Sequence, residues 1–305
     1  MNRIELKKIK IGTVVNQSLE LPILSVGKGG QTIGIVAGIH GNEPESLFII
    51  RELLARLHGI ALDKKVKILP GANPFGLMNN TREAAFDALD LNRSFPGKAD
   101  GTLTERIAHA IFQEFSSCQI VIDIHSIVNH GNYMGAEIIT KGPLLDNLAD
   151  LNRLLAPPAI WRAIEGDKFN PTLDSTLLAA GVSATFIEVP RLEYLNKETM
   201  DMIVEGLLRI IKNTGPVAPL KKPIPVIANE RRYFSDYGGI YTPVAKPMDT
   251  VSKNQLIGII TDLQDFKDRP LMSKWSGVLT VQSSRKVLKT GDKVYVVGEK
   301  IAEFQ

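Results

Sequence analysis

The chain has 305 residues, with 36 Lys and Arg against 33 Asp and Glu, and a hydrophobic content of 44%. That length accommodates one large domain and a smaller one, and the near-balanced charge, without an extended basic block, leaves no basis for a nucleic-acid partner. One cysteine, Cys118 in "SSCQIVIDIH", excludes an internal disulfide framework and a cysteine-rich metal site; it fits a reducing compartment and reads as core.

The first residues, "MNRIELKKIKIG", alternate apolar and basic side chains and lack the uninterrupted apolar segment of a signal peptide. No run approaches the roughly 20 apolar residues of a membrane helix, so a soluble cytoplasmic protein that binds no membrane is expected. "LPILSVGKGGQTIGIVAGIH" predicts two strands around the turn "GKGG". "EPESLFIIRELLARLHG" predicts a helix: Pro44 suits its first turn, Glu43 and Glu45 its N-terminal end, and Leu47, Ile50, Leu54 and Leu57 recur at helical spacing. "KVKILPGAN" is the next strand. A long polar passage, residues 74–101, exceeds ordinary loop lengths, as functional loops do. "LTERIAHAIFQEF" predicts a helix, "QIVIDIH" a strand, "EIIT" a strand, "GPLLDNLADLNRLL" a helix, "SATFIEVP" a strand and "NKETMDMIVEGLLRIIKN" a long amphipathic helix.

Strands alternating with helices predict an α/β fold with a mainly parallel sheet covered on both faces. Composition shifts at Gly215, where "GPVAPLKKPIPVIAN" reads as a proline-rich linker. Beyond it "NQLIGIITD", "SGVLTVQ" and "KVYVVGE" read as short strands without helices. The expected division is therefore residues 1–214 as a catalytic domain and 215–305 as a small all-β domain.

Polar clusters end three predicted strands: His40 to Glu43, His125, and Glu188. Ligands of open parallel sheets gather beyond the carboxyl ends of strands, so these clusters can converge. His40 and Glu43 can share one side of a first helical turn. With His125 they make a His, Glu, His set with a fourth position open for water, the arrangement of catalytic zinc. Asp123 points to the same strand face as His125 and can support it. A plain helix start explains Glu43 equally, and both readings stay open here. His58 and His109 fall within helices and read as surface or packing residues; His130 is a further residue that can line the site. The long loop holds Arg82, Asp90, Asn92 and Arg93; its arginines offer a guanidinium fork, and Asn92 a neutral donor, to a carboxylate or oxyanion. The alternative is a solvated loop, which the apolar anchors Leu89, Leu91 and Phe95 disfavour.

"GIHGNE", "NPFGLMNNTR", "DLNRSFPG", "DIH" and "FIEVP", in that order, resemble the succinylglutamate desuccinylase and aspartoacylase family, within the zinc carboxypeptidase-like group. The resemblance covers residues 21–213. It implies that His40, Glu43 and His125 hold one Zn2+ per chain. It also implies that Arg82 polarises the scissile carbonyl, Asn92 and Arg93 grip a substrate carboxylate, and Glu188 is the general base. Glu45 and Glu193 are the next suspects for the base. The C-terminal part resembles the β domain appended in that family, a biotinyl-like half-barrel, here without an attachment tripeptide. Where the acylase branch carries an extra arginine about ten residues before the base, this chain has Leu178; Arg191 is the residue that could replace it. The implied activity is zinc-dependent cleavage of an amide bond in an N-acyl amino acid. The alternatives are a metallocarboxypeptidase acting on short peptides and a catalytically silent binding protein of the same fold. Homo-oligomerisation stays open.

Overall fold

The computed structural model describes residues 3–126, 133–137, 144–162 and 171–305. In chain order its elements are β1 (Glu5–Val14), β2 (Gln17–Val26), β3 (Thr32–Ala37), α1 (Glu45–Leu57), β4 (Lys65–Leu69), α2 (Pro74–Asn79), α3 (Leu103–Phe115), β5 (Ile120–His125), β6 (Met134–Glu137), α4 (Leu144–Leu155), β7 (Ala159–Arg162), α5 (Leu173–Ala179), β8 (Ser183–Glu188) and α6 (Lys197–Lys212). The C-terminal part adds β9 (Ile224–Phe234), β10 (Gly239–Pro243), β11 (Thr250–Val251), β12 (Leu256–Thr261), β13 (Asp268–Met272), β14 (Gly277–Gln282), β15 (Val287–Leu288) and β16 (Lys293–Phe304).

The main sheet runs β1-β2-β4-β3-β5-β8-β6-β7-β9-β16-β14-β11. Its centre, β4-β3-β5-β8, is parallel. These strands are near-continuous apolar runs, as burial on both faces demands: every residue of β3 after Thr32 and of β5 after Ile120 is buried. Helices α1, α4 and α6 pack together, and α3 packs with α5. Gly34 in β3 is required by this layering, because a Cβ there would lie 2.5 Å from the ring of Phe115 on α3. Arg56 joins α1 to α6 through Asp201 and Glu205. The C-terminal part also forms a separate antiparallel sheet, β13-β12-β10-β15, around a core that includes Tyr233, Tyr241, Ile257, Leu279 and Tyr295.

Several elements depart from the sequence reading, among them the unforeseen strand β7. The alternating N-terminal residues form β1, paired antiparallel with β2. The long loop contains α2, started by Asn73, whose side chain accepts from the Gly76 amide at 2.8 Å, with Pro74 in the first turn. Helix α5 is set by a Thr172–Ser175 capping box. The proline-rich linker is shorter than expected, because residues 224–229 already belong to β9. That strand pairs with β7 on one side and β16 on the other, so the main sheet continues past residue 215. Prolines confined to strand starts and edges tolerate this pairing. Of the strand expected at 137–140, only Glu137 lies within the described residues.

Candidate active site and metal centre

His40 and Glu43 stand in the turn between β3 and α1, closed by the Glu43 amide donating to the His40 carbonyl at 3.2 Å. This turn is wedged against α2. A Cβ on Gly41 would lie 1.7 Å from the Gly76 carbonyl carbon, and Gly38 has φ +70°, so both positions require glycine. His125 ends β5 and is the register partner of Glu188, which ends β8. Tertiary structure thus brings four side chains from three strand ends to one place.

The two oxygens of Glu43 divide between the histidines. Oε1 lies 2.9 Å from His40 Nδ1, and Oε2 lies 3.1 Å from His125 Nδ1 while accepting from the Ser126 amide at 2.9 Å. Each second ring nitrogen faces an aspartate: His40 Nε2 is 3.2 Å from Asp90 Oδ1, and His125 Nε2 is 2.7 Å from Asp123 Oδ2. All three central residues are buried, and one ligand atom from each lies within 4.8 Å of the others. A divalent cation such as zinc fits this donor set. An Nε2–H donated to an aspartate fixes the tautomer that turns the Nδ1 lone pair toward the centre.

The electrostatics are those of crowded buried charge. Burial alone would raise the Glu43 carboxyl, but His125 and His40 hold it well below the usual carboxylate range. Burial likewise opposes ionisation of Asp90, which His40 and Arg82 hold well below its ordinary value. Burial pulls His125 down, yet Asp123 and Glu43 outweigh it and set it well above the ordinary imidazole value. Glu188 is pushed up to about 8, first by burial; His125 and Arg82 oppose the rise and the Glu43 and Asp123 carboxylates add to it. Its Oε2 is buried without a hydrogen-bond partner among the described residues. A carboxylate so elevated is the kind of group that moves protons near neutral pH.

Asp90 organises the loop. Its Oδ1 also accepts from the Asn92 amide at 2.8 Å, starting a single 3-10 turn, Leu91–Arg93. Its Oδ2 receives Arg82 through Nε at 3.0 Å and Nη2 at 2.9 Å. That leaves Arg82 Nη1 3.4 Å from His40 Nδ1 and 3.8 Å from Glu43 Oε1. Asn92 is buried; its Oδ1 accepts from the Leu173 amide at the start of α5 at 3.0 Å, and its Nδ2 is 3.4 Å from His125 Nε2. Arg93 is exposed, with Nη1 on the Asn92 carbonyl at 3.0 Å. From the C-terminal strands, half-buried Lys293 is lowered first by burial and then by Arg232, with the Glu230 and Glu188 carboxylates opposing the fall.

Of the residues expected from sequence, His40, Glu43, His125, Glu188, Arg82 and Asp123 converge, and Asn92 reaches His125. Arg191 turns away from them, donating to the Asn42 carbonyl at 2.6 Å and to Glu45 Oε2 at 3.2 Å. Leu178, at the place of the branch's extra arginine, is a buried core residue of α5. Glu193 is exposed, Glu45 is fully buried against Arg191, and His130 lies outside the described residues. Sequence reasoning missed Asp90 as the partner of His40. Its signal was an aspartate two residues before Asn92, able to cap its own turn while facing the same side.

Two imidazoles and a low carboxylate form a group that could hold a metal ion, with a second, elevated carboxylate beside it beyond the carboxyl ends of parallel strands. Residues 29–213 match the family model described as succinylglutamate desuccinylase/aspartoacylase catalytic domain. The chain belongs to this family of hydrolases. It is similar to the N-alpha-acetyl-L-2,4-diaminobutyric acid deacetylase of Halomonas elongata, 33% identical over 108 residues, which are 35% of this chain and about a third (32%) of that protein's length. In fold it is similar to the product-bound ectoine utilization protein EutE (DoeB) from Ruegeria pomeroyi, at 20% identity, covering 98% of this chain and 95% of that one with a TM-score of 0.81. A second solved relative is the succinylglutamate desuccinylase/aspartoacylase from Rhodobacter sphaeroides, at 20% identity, 98% and 96% coverage and a TM-score of 0.79. Among the described residues no helix is long and apolar enough to cross a membrane.

Proposed function

We propose that the chain is a zinc-dependent deacylase that hydrolyses the amide bond of a small N-acyl amino acid, giving a carboxylic acid and the free amino acid. The observation that carries this reading is the placement of Glu188 in register beside His125, next to the His40–Glu43–His125 triangle. The triangle would hold one zinc ion per chain. A divalent cation there supplies Lewis acidity, favouring ionisation of water and withdrawing electron density from a carbonyl. Glu188, as a carboxylate, accepts a proton from the attacking water and passes it to the departing amine nitrogen. Arg82, held by Asp90 with Nη1 toward the triangle, offers a fixed cation to the oxygen that gains negative charge. Exposed Arg93 would take the substrate α-carboxylate, with Asn92 setting its position through α5 and His125.

Family membership and the deacetylase relative support an N-acyl amino acid over a peptide. Because Leu178 is core and Arg191 is engaged by Glu45, neither offers a cation to a second substrate carboxylate. Neutral N-acyl amino acids should therefore be hydrolysed at least as well as N-acetylaspartate. We further read residues 1–214 as the catalytic unit and 215–305 as a β unit, the compartment as cytoplasmic and the partner as a small molecule. The test is elemental analysis of the purified protein together with turnover of an N-acyl amino acid panel, each member also supplied as its α-carboxamide. One equivalent of zinc, with capping of the carboxylate more damaging to kcat/KM than exchange of the acyl chain, is expected. A metal-free protein inert toward the whole panel would end this reading.

A further inference from the structure

Glu45 has no solvent exposure, although it follows the metal turn by only two residues. Both its oxygens are used on a segment remote in sequence. Oε1 accepts from the Leu192 amide at 3.1 Å, and Oε2 from Arg191 Nη1 at 3.2 Å. The same Arg191 nitrogen donates to the Asn42 carbonyl at 2.6 Å, inside the turn that carries His40 and Glu43. Arg191 and Leu192 lie three and four residues after Glu188. Beyond β8 the chain runs without strand or helix to α6, and the sheet's last tie to it is the Val189 amide on the His125 carbonyl at 2.8 Å. Glu188 itself is paired with His125 of β5 on one side and Met134 of β6 on the other, so the sheet fixes its backbone, and the Arg191–Leu192 segment bears on where the chain leaving it runs behind the carboxylate.

We propose that Glu45 and Arg191 are a positioning pair that sets the separation between Glu188 and the His40–Glu43–His125 triangle, and that neither touches substrate. The proposal rests on the deacylase reading above. A proton acceptor must sit within a few tenths of an ångström of its productive place, and a displacement of about 1 Å can cost ~10²-fold in rate. A buried carboxylate bridging the metal turn to the segment behind the base supplies that constraint from both sides. A cation is needed because one Arg191 nitrogen satisfies Glu45 and the Asn42 carbonyl together, and its loss would leave the Glu45 charge buried without a counter-charge. The competing role for Arg191, contact with a second substrate carboxylate, requires its fork to point into the site, and its Nη1 points instead into the turn.

The test uses the wild type, Arg191→Ala, Arg191→Lys and Glu45→Gln, each measured for metal content and for kcat and KM with a neutral N-acetyl amino acid and with N-acetylaspartate. The wild type is the control on the deacylase reading: without turnover that reading fails, and the pair's role with it. Given wild-type turnover, Arg191→Ala should keep stoichiometric metal and lose about 10- to 100-fold in kcat, with KM within threefold for both substrates. Arg191→Lys, which keeps a charge for Glu45, should recover most of that loss. If Arg191→Ala does not fold, Glu45→Gln decides, since its amide oxygen still accepts from Leu192; about a tenfold lower kcat at steady KM is expected. An unchanged kcat in the folded variants overturns the proposal. So does a KM that rises tenfold for N-acetylaspartate alone, which would place Arg191 on the substrate.

Discussion

At their carboxyl ends, β5 and β8 present His125 and Glu188; at their amino ends the same two strands present Gln119, Ile120 and Ser183 to a concavity of ≈ 600 Å³, together with Cys118 and Asn147. There the polar groups are satisfied in pairs: the Gln119 side chain accepts from the Thr32 amide at 2.6 Å, and Asn147 donates to Ser183 Oγ at 3.1 Å. Burial pushes the Cys118 thiol up to about 11, so it stays protonated and unreactive. At the carboxyl ends, by contrast, Glu43, Asp90, Asp123 and Glu188 crowd two imidazoles and Arg82, and Glu188 keeps a buried oxygen without a partner among the described residues. Concavity therefore does not single out a chemical site. Buried ionisable groups that need a further cation or proton to settle are found at the carboxyl ends, and that is the better mark of a chemical site.

The largest effect should come from the triangle. His125→Ala or Glu43→Ala removes one of three protein ligands, and elemental analysis should find metal well below one equivalent, with turnover undetectable; full metal content in His125→Ala would show the ligand set to be wrong. Next is Glu188→Gln, which keeps shape and metal but removes the proton acceptor. Turnover should fall about 10²-fold or more while metal content holds, and retained turnover would move the base to another residue. Asp90→Asn should then weaken metal affinity by roughly 10- to 100-fold, because His40 loses the group that orients its ring; chelator competition measures this, and an unchanged affinity would detach Asp90 from the site.

Proton linkage sharpens the contrast further. With Glu188 raised to about 8, first by burial, its carboxyl holds a proton at pH 7 in the metal-free protein, and Asp123 and Glu43 raise His125 against the pull of burial. A cation favours the deprotonated forms of Glu188 and His125, so loading at pH 7 should release protons and affinity should climb as pH rises toward 8. Calorimetry in buffers of different ionisation enthalpy reads the sign, and proton uptake on loading would contradict these environments. The smallest effect belongs to the other end of the strands. Cys118→Ser should leave kcat/KM within about twofold and cost roughly 1–2 kcal/mol of stability by burying a hydroxyl, seen as a lower denaturant midpoint. A tenfold activity loss there would mean that the two ends are coupled.

Local chemistry made much of this protein legible. The apolar runs of β3, β5 and β8 fix strands buried on both faces, and the helices α1, α3 and α6 declare themselves by apolar spacing over many residues. Motif order carried His40, Glu43, His125 and Glu188. Short elements were hidden for a physical reason: α2 and α5 depend on local capping residues, and the start of β9 was masked by the prolines around it until β7 and β16 paired with it. Side-chain direction was likewise out of reach. The guanidinium three residues after Glu188 could have faced either way, and only the packed structure sets its Nη1 against the fully buried Glu45 and the Asn42 carbonyl. Asp90 was an ordinary loop carboxylate until the turn at Gly41, pressed against Gly76, brought His40 within 3.2 Å of it. Sequence determines which residues can bear charge and which segments must be buried; only the assembled sheet determines which of those charges share one desolvated space, because that depends on contacts between residues far apart in the chain.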